Sequence, residues 1–259
     1  MRRRFVMILA LITFAWATPA SAENTTCANA DPLIIGSTDL DTLPSSGNIY
    51  FKTRLTAGRS YIFWVYAPFQ DTGEGATSVD LTLFTSTTCA AAAAGTDIAE
   101  REPLDNITGA DVDQLAVKPV SSGTYVLRVN NNVALAYSIQ IVAIETSLFS
   151  PWWFVGGNNQ SFVTLRNNMD ASTSVTLNLY HNNGSICGTE TFSLGANDTT
   201  FRRVNDFPTC VTAVFGSATI IFWGSPNGVS ANTTTIDAVQ GISFDAPFNP
   251  RMVWSPIAR

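Results

Sequence analysis

Hydrophobic and polar residues alternate along this chain in short bursts with a period of two. The stretch from Leu115 to Ala143 shows it most clearly. Tyr125, Leu127 and Val129 fall on one face of an extended segment, with Thr124 and Arg128 on the other. After Asn130-Asn131-Asn132, the residues Tyr137, Ile139 and Ile141 repeat the pattern. Two β-branched and aromatic runs around an Asn cluster predict two neighbouring antiparallel strands. Comparable runs predict strands at 49–55, 60–66, 78–84, 114–117, 123–129 and 136–144. A second series follows at 160–166, 174–181, 187–194, 199–204, 211–223 and 236–244.

Between these runs stand turn residues, and no helical periodicity is sustained. Asn182-Asn183-Gly184 is a strong hairpin signal, because Asn-Gly accepts the positive φ of a tight turn. Asn167-Asn168 and Ser225-Pro226-Asn227-Gly228 mark further turns. The alanine run at 90–94 reads as a small-residue loop, since so short a segment cannot sustain a helix alone. The fold class is therefore all-β. Six strands in each half suit two tandem β-sandwiches, divided at 145–151, where Pro151 interrupts simple continuation of a ladder.

The first 22 residues form a leader. Arg2, Arg3 and Arg4 precede an apolar run, and Ala20-Ser21-Ala22 supplies the small residues of a signal-peptidase site. The apolar run falls short of the ~20 residues that span a bilayer, so stable membrane insertion is not expected. The organisation expected is 1–22 signal peptide, 23–147 first sandwich and 148–259 second sandwich. Removing the leader takes three basic residues and no acids, leaving eleven Lys and Arg against twenty Asp and Glu, a net charge of about −9. With basic residues sparse and only Arg202-Arg203 adjacent, binding to nucleic acid is disfavoured.

Cys27, Cys89, Cys187 and Cys210 fall two in each half, with no CxxC spacing and a single histidine, His181. In an oxidising compartment pairing is expected over a zinc site. Of three possible connectivities, Cys27–Cys89 and Cys187–Cys210 keep each bridge within one sandwich.

The first half, from about Gly47 to Glu145, resembles the pre-peptidase C-terminal (PPC) domain family. The resemblance is carried by Asn48-Ile-Tyr-Phe-Lys-Thr-Arg-Leu55, Tyr61-Ile-Phe-Trp-Val-Tyr66 and Ser78-Val-Asp-Leu-Thr-Leu-Phe84. The closing Ser121-Ser-Gly-Thr-Tyr-Val-Leu-Arg-Val129 and Tyr137-Ser-Ile-Gln-Ile141 match it best. It implies a jelly-roll-like sandwich that assists binding or secretion and is not catalytic. Some members bind calcium through acids before the first of these strands. Here Ser45-Ser46-Gly47-Asn48 stands in that place, with Asp39 and Asp41 nearby. The second half is immunoglobulin-like in pattern alone.

Candidate chemistry is thin. His181 precedes the Asn-Gly turn and reads as a surface residue at a hairpin tip, not as the base of a Ser-His-Asp arrangement. The carboxylate pairs Glu100/Glu102 and Asp111/Asp113 lie in a polar stretch and read as solvated loop charges, not as a glycosidase pair. Asp97, Asp105, Asp111 and Asp113 offer oxygen ligands within one long loop, a candidate calcium site. The aromatic residues give the sharpest lead. The segment 60–66 carries Tyr61, Phe63 and Val65 on one face and Ile62, Trp64 and Tyr66 on the other. A sandwich sheet buries one face in its core, so the other must be covered or exposed for binding. Trp152, Trp153, Phe154, Trp223 and Trp254 are candidates for that cover. Trp64, Tyr66, Trp152 and Trp153 are the candidate ligand-binding residues. The sequence thus predicts a secreted, non-catalytic protein with a polysaccharide or a surface protein as partner, ahead of an assembly subunit and, last, a hydrolase.

Overall fold

The computed structural model describes residues 24–67, 79–85, 87–90, 111–212 and 214–250. Among them the chain is built almost entirely from strands. The first half contributes β1 (Asp31–Pro32), β2 (Thr38–Leu43), β3 (Asn48–Leu55), β4 (Tyr61–Ala67), β5 (Val79–Phe84), β6 (Asp111–Val117), β7 (Gly123–Asn131) and β8 (Tyr137–Glu145). They form one sheet of order β1-β3-β7-β5 and another of order β2-β8-β4-β6. From β2 to β8 every strand crosses to the sheet opposite its predecessor, as in a jelly roll. The period-two pattern sends Phe51, Phe63, Leu115, Leu127 and Ile139 into one shared core.

One expectation fails here. β7 and β8 are not a paired hairpin: they lie in opposite sheets, and the Asn cluster carries the chain across the end of the sandwich. Alternation reports which face is buried and is blind to the partner strand. Buried Asn131 holds the crossing. Its amide donates to the carbonyls of Pro44 and Leu135 at 2.7 and 2.8 Å, and its carbonyl oxygen accepts the Val133 N–H at 2.9 Å.

The second half comprises β9 (Leu148–Phe154), β10 (Asn159–Asn167), β11 (Thr173–His181), β12 (Ile186–Leu194), β13 (Thr199–Arg203), β14 (Phe215–Phe222), β15 (Val229–Asp237), β16 (Ile242–Pro247) and β17 (Asn249–Pro250). Its sheets run β12-β11-β14-β9-β17 and β13-β10-β15-β16. They enclose a separate core around Trp153, Val163, Leu165, Leu177, Ile220 and Phe222. The pairings β10–β13, β11–β14 and β11–β12 are those at the heart of an immunoglobulin sandwich. Here β9 lies beside β14, and β15 beside β10. The hairpin expected at Asn182-Asn183-Gly184 joins β11 to β12, with Gly184 at φ +83° and the His181 N–H bound to the Ser185 carbonyl at 2.8 Å.

Three boundaries differ from expectation. The segment 236–244 is the end of one strand and the start of another, because the Asp237 carboxylate accepts the Val239 and Gln240 N–H groups at 2.9 and 3.0 Å and turns the chain. The segment 211–223 begins as a strand only at Phe215, since Pro208–Val211 forms a helical turn that carries Cys210 into the core. The supposed joint at 145–151 is largely strand β9. Only Thr146-Ser147 separates β8 from β9.

Those two residues are buried and bonded. The Thr146 N–H donates to the Ser60 carbonyl at 2.8 Å, and its hydroxyl to Ser60 Oγ at 2.9 Å. Ser60 N–H donates to Ser147 Oγ at 2.9 Å, and Arg59 pairs with Glu145 at 3.0 Å. Between the sandwiches, Lys118 Nζ donates to the Ser174 carbonyl at 2.9 Å and sits 4.7 Å from the Trp223 ring centroid. Both disulfides form as the sequence suggested, Cys27–Cys89 and Cys187–Cys210. The first fastens the turn Cys27–Asn29 beside Ala30, Phe84 and Val126, a small cluster apart from the main core.

Asn167 ends β10 as Asn131 ends β7. Its amide donates to the Ala171 and Gly195 carbonyls at 2.8 Å each, and its oxygen accepts the Met169 N–H at 3.0 Å. Losing one such partner strands several buried polar groups at once. Asn167→Ala is expected to lower stability by about 2–4 kcal/mol, and the exposed neighbour Asn168→Ala by less than about 1 kcal/mol, compared by urea unfolding.

Candidate functional site

The candidate site is built on an irregularity in β9. Ser150 faces Ala218 and Trp153 faces Gly216, so β9 holds one residue more than β14 across that interval. Pro151 and Trp152 fall in this bulge, where a proline's missing N–H leaves no gap in the ladder. The extra residue shifts the alternation. Leu148 and Ser150 are buried before it, Trp153 and Val155 after it, while Trp152 and Phe154 remain partly exposed. Gly216 makes the arrangement possible. A Cβ there would stand 1.8 Å from the Tyr180 carbonyl oxygen and 2.7 Å from the Trp153 ring.

Trp153 is therefore a core residue and not a ligand-binding one. It is 0% exposed, and its indole N–H donates to the Ser217 carbonyl at 2.9 Å. Trp152 behaves in the opposite way. Together with Phe154, Phe215, Ile242 and Phe244 it lines a groove of about 610 Å³ where β9 meets the β15–β16 hairpin. The Trp152 and Phe154 rings are parallel within 5°, and Trp152 and Phe244 stand at 87°, both pairs with centroids 6.4 Å apart. Phe215 and Phe244 are 44% and 51% exposed, a large apolar exposure for two phenylalanines. Asn159, Thr235, Asp237 and Gln240 complete the lining, so among the described residues one carboxylate and no basic group face this space.

A buried hydroxyl layer fixes the groove from below. The Phe154 N–H donates to Ser161 Oγ at 3.0 Å, and the Ser161 hydroxyl donates back to the Phe154 carbonyl at 2.7 Å. With its one proton so used, Ser161 accepts from the Thr235 hydroxyl at 2.6 Å. Thr233 donates to Ser150 in the same layer at 3.3 Å. Ser161 thus gives Phe154 the pair of bonds that a neighbouring strand would give. The carboxylate of Asp237 is fixed through Oδ1 by the two turn N–H groups, and among the described residues no hydrogen bond reaches Oδ2.

Trp64 and Tyr66 lie elsewhere, on the outer face of the β2-β8-β4-β6 sheet. Tyr61, Phe63 and Val65 take the core face, as the alternation requires. On the outer face Ile62 is buried, Trp64 half-buried and Tyr66 40% exposed. Tyr66 shares a row with Gln140 and the exposed Leu40. Neither residue joins Trp152 in the groove. The cover expected from Trp152, Trp153 and Phe154 is not formed, because those rings serve the second sandwich itself. Trp254 lies outside the described residues.

Of the proposed calcium ligands, Asp97 and Asp105 also lie outside the described residues, as does the pair Glu100/Glu102. Asp111 opens β6 and is not loop. Asp113 is buried on the same face as Leu115 and Val117, with its Oδ1 accepting the Gln114 N–H at 2.8 Å. Both had been expected in a solvated loop; the β4–β6 ladder instead extends back to Asp111, opposite Ala67. Among the described residues no three His, Cys, Asp or Glu side chains gather as a metal site. His181 stands half-exposed at the hairpin tip.

Sequence reasoning missed Phe215, Ile242, Phe244 and Asp237. Phe215, Ile242 and Asp237 lie at strand ends and Phe244 two residues into β16, where direction depends on a register and a turn that local pattern does not encode. No protein-family model matches the chain, and no curated protein matches it. Among solved structures, the full extracellular region of zebrafish Gpr126/Adgrg6 is similar over 85% of this chain and 31% of that one, at 12% identity and a TM-score of 0.25. Bacteroides uniformis beta-glucuronidase is similar over 79% of this chain and 26% of that one, at 11% identity and a TM-score of 0.20. A glycosyl hydrolase family 2 member from Bacteroides cellulosilyticus gives 78% and 28%, at 8% identity and a TM-score of 0.21. The chain spans less than a third of each of these proteins, and likeness at this level fixes neither activity nor ligand.

The bulge makes its own forecast. Gly216→Ala forces a Cβ against backbone, which cannot swing away as a side-chain tip does. It is expected to destabilise by about 1–3 kcal/mol or more and to shift tryptophan emission, whereas Gly157→Ala, where a Cβ meets nothing but the φ of +64° is strained, costs about 1 kcal/mol with no spectral change.

Proposed function

We propose that this chain is an exported, non-catalytic β-sandwich protein that binds a polysaccharide through the Trp152–Phe154–Phe244 groove. The observation that carries this reading is the groove itself. Exposed rings in parallel and perpendicular attitudes suit the apolar faces of pyranoses, and Asn159, Asp237 and Gln240 at its margin suit their hydroxyls. Two disulfides support an oxidising compartment, as does the leader-like sequence at 1–22. Among the described residues no helix is long and apolar enough to cross a membrane. The first sandwich, with its PPC-like strands and jelly-roll winding, acts in this reading as a rigid auxiliary module without chemistry of its own.

A second reading, an assembly subunit, draws on β16, the edge strand of its sheet among the described residues, where Ile242 and Phe244 are exposed. The two readings separate on one set of variants. Trp152→Ala and Phe244→Ala are each expected to weaken binding on a glycan array and in titration by about ten-fold, the worth of one lost stacking contact. Melting temperature and the monomer mass in size-exclusion chromatography with light scattering stay unchanged. A flat array, with higher-order species that Phe244→Ala dissolves, would sink the polysaccharide reading in favour of assembly.

A further inference from the structure

The groove's charge carries the reading one step further, to the class of sugar. Aromatic faces bear negative quadrupole charge, and a cation within ~6 Å of a ring centroid is attracted to it. Trp152 has one ring parallel to it and another perpendicular, each with its centroid 6.4 Å away, so aromatic surface bounds the groove in more than one direction. Among the described residues, the only ionisable group lining the groove is Asp237. Its Oδ1 is committed to the Val239 and Gln240 N–H groups, which fix the carboxylate in place, and among the described residues no hydrogen bond reaches Oδ2. Among the described residues no lysine or arginine lines the space to neutralise it. Ring faces and a single anchored carboxylate, in one groove, make a receptor for a positive charge with apolar surroundings.

We infer that the groove recognises an ammonium group, and that its ligand is an amine-bearing saccharide, a polymer of unacetylated amino sugars, in preference to neutral or uronic acid chains. The inference rests on the groove being the binding site. Uronates and sulfated sugars would bring anions against Asp237 with no cation to receive them. An N-acetylated chain keeps the same rings and hydroxyls and loses the charge, so acetylation isolates the feature in question.

The test is isothermal titration of the purified protein with a glucosamine hexamer, its fully N-acetylated counterpart and a galacturonic acid hexamer, at physiological ionic strength. The amine form is expected to bind at least about ten-fold more tightly than the acetylated form, with no binding of the uronate. Asp237→Asn keeps a side-chain oxygen for the turn and removes the charge. It should bring the amine form down to the level of the acetylated form and leave the latter unchanged. Choline, a fixed ammonium without a sugar ring, should compete with the glucosamine hexamer on the unsubstituted protein, and glycerol should not; this arm stands even where Asp237→Asn folds poorly. Equal affinity for the amine and acetylated forms, or a preference that survives both Asp237→Asn and choline, overturns the ammonium inference while leaving the groove as a sugar site. A hexamer that binds Trp152→Ala as well as the unsubstituted protein overturns the groove reading with it.

Discussion

The extra residue in β9 is the constraint on which the second sandwich and its candidate site depend. A strand that alternates without interruption and buries Leu148 and Ser150 would also turn Trp152 and Phe154 inward. The bulge opposite Gly216 reverses that order, so Trp153 fills the core and its neighbours on either side stay at the surface. Two local features hold the reversal. The bare backbone of Gly216 admits the Trp153 ring beside the Tyr180 carbonyl, and Ser161 bonds both backbone groups of Phe154. Core packing and ring display are thus two outcomes of one insertion.

Rigidity follows the same economy elsewhere. In each sandwich a buried asparagine ends a strand, donates to the carbonyl four residues on, and accepts the N–H two residues on: Asn131 with Leu135 and Val133, Asn167 with Ala171 and Met169. One amide side chain has the donors and the acceptor that a buried change of direction requires, which explains its use at two unrelated places. Between the halves, Ser60, Thr146 and Ser147 bond one another in the interior, where a linker in solvent would have left the sandwiches free to turn. The junction is short because its polar groups answer one another.

What the sequence disclosed follows from this. Period-two patterning identified the strands whose two faces differ sharply in polarity, β3, β4, β7, β8 and β11 among them, and it put Phe63, Leu127 and Ile139 in the core. It failed where both faces are alike. The buried Thr233 and Thr235 of β15 form a hydroxyl layer, so no apolar alternation marks the middle of that strand. It failed also on partners, since β7 and β8 present the same face to one core from opposite sheets. At the site, Trp152 was legible as a conspicuous aromatic, but its separation from Trp153 was not. That depends on a bulge whose sequence sign is a proline in one strand and a glycine some sixty residues away in another.

The same distance bears on how the groove would work. Its rings come from β9, β14 and β16, and its carboxylate from the end of β15, so no single segment holds the site. Sheet hydrogen bonds fix β9, and the Asp237 turn fixes the start of β16. A ligand meeting these rings would find them already placed, with little side-chain freedom left to lose, and weak stacking contacts gain most from that condition. The hydroxyl layer beneath serves this end better than apolar packing would. Aliphatic side chains under β9 would seat it by shape alone, whereas Ser161 fixes the height and direction of Phe154 through paired bonds, and with them the plane that Trp152 shares.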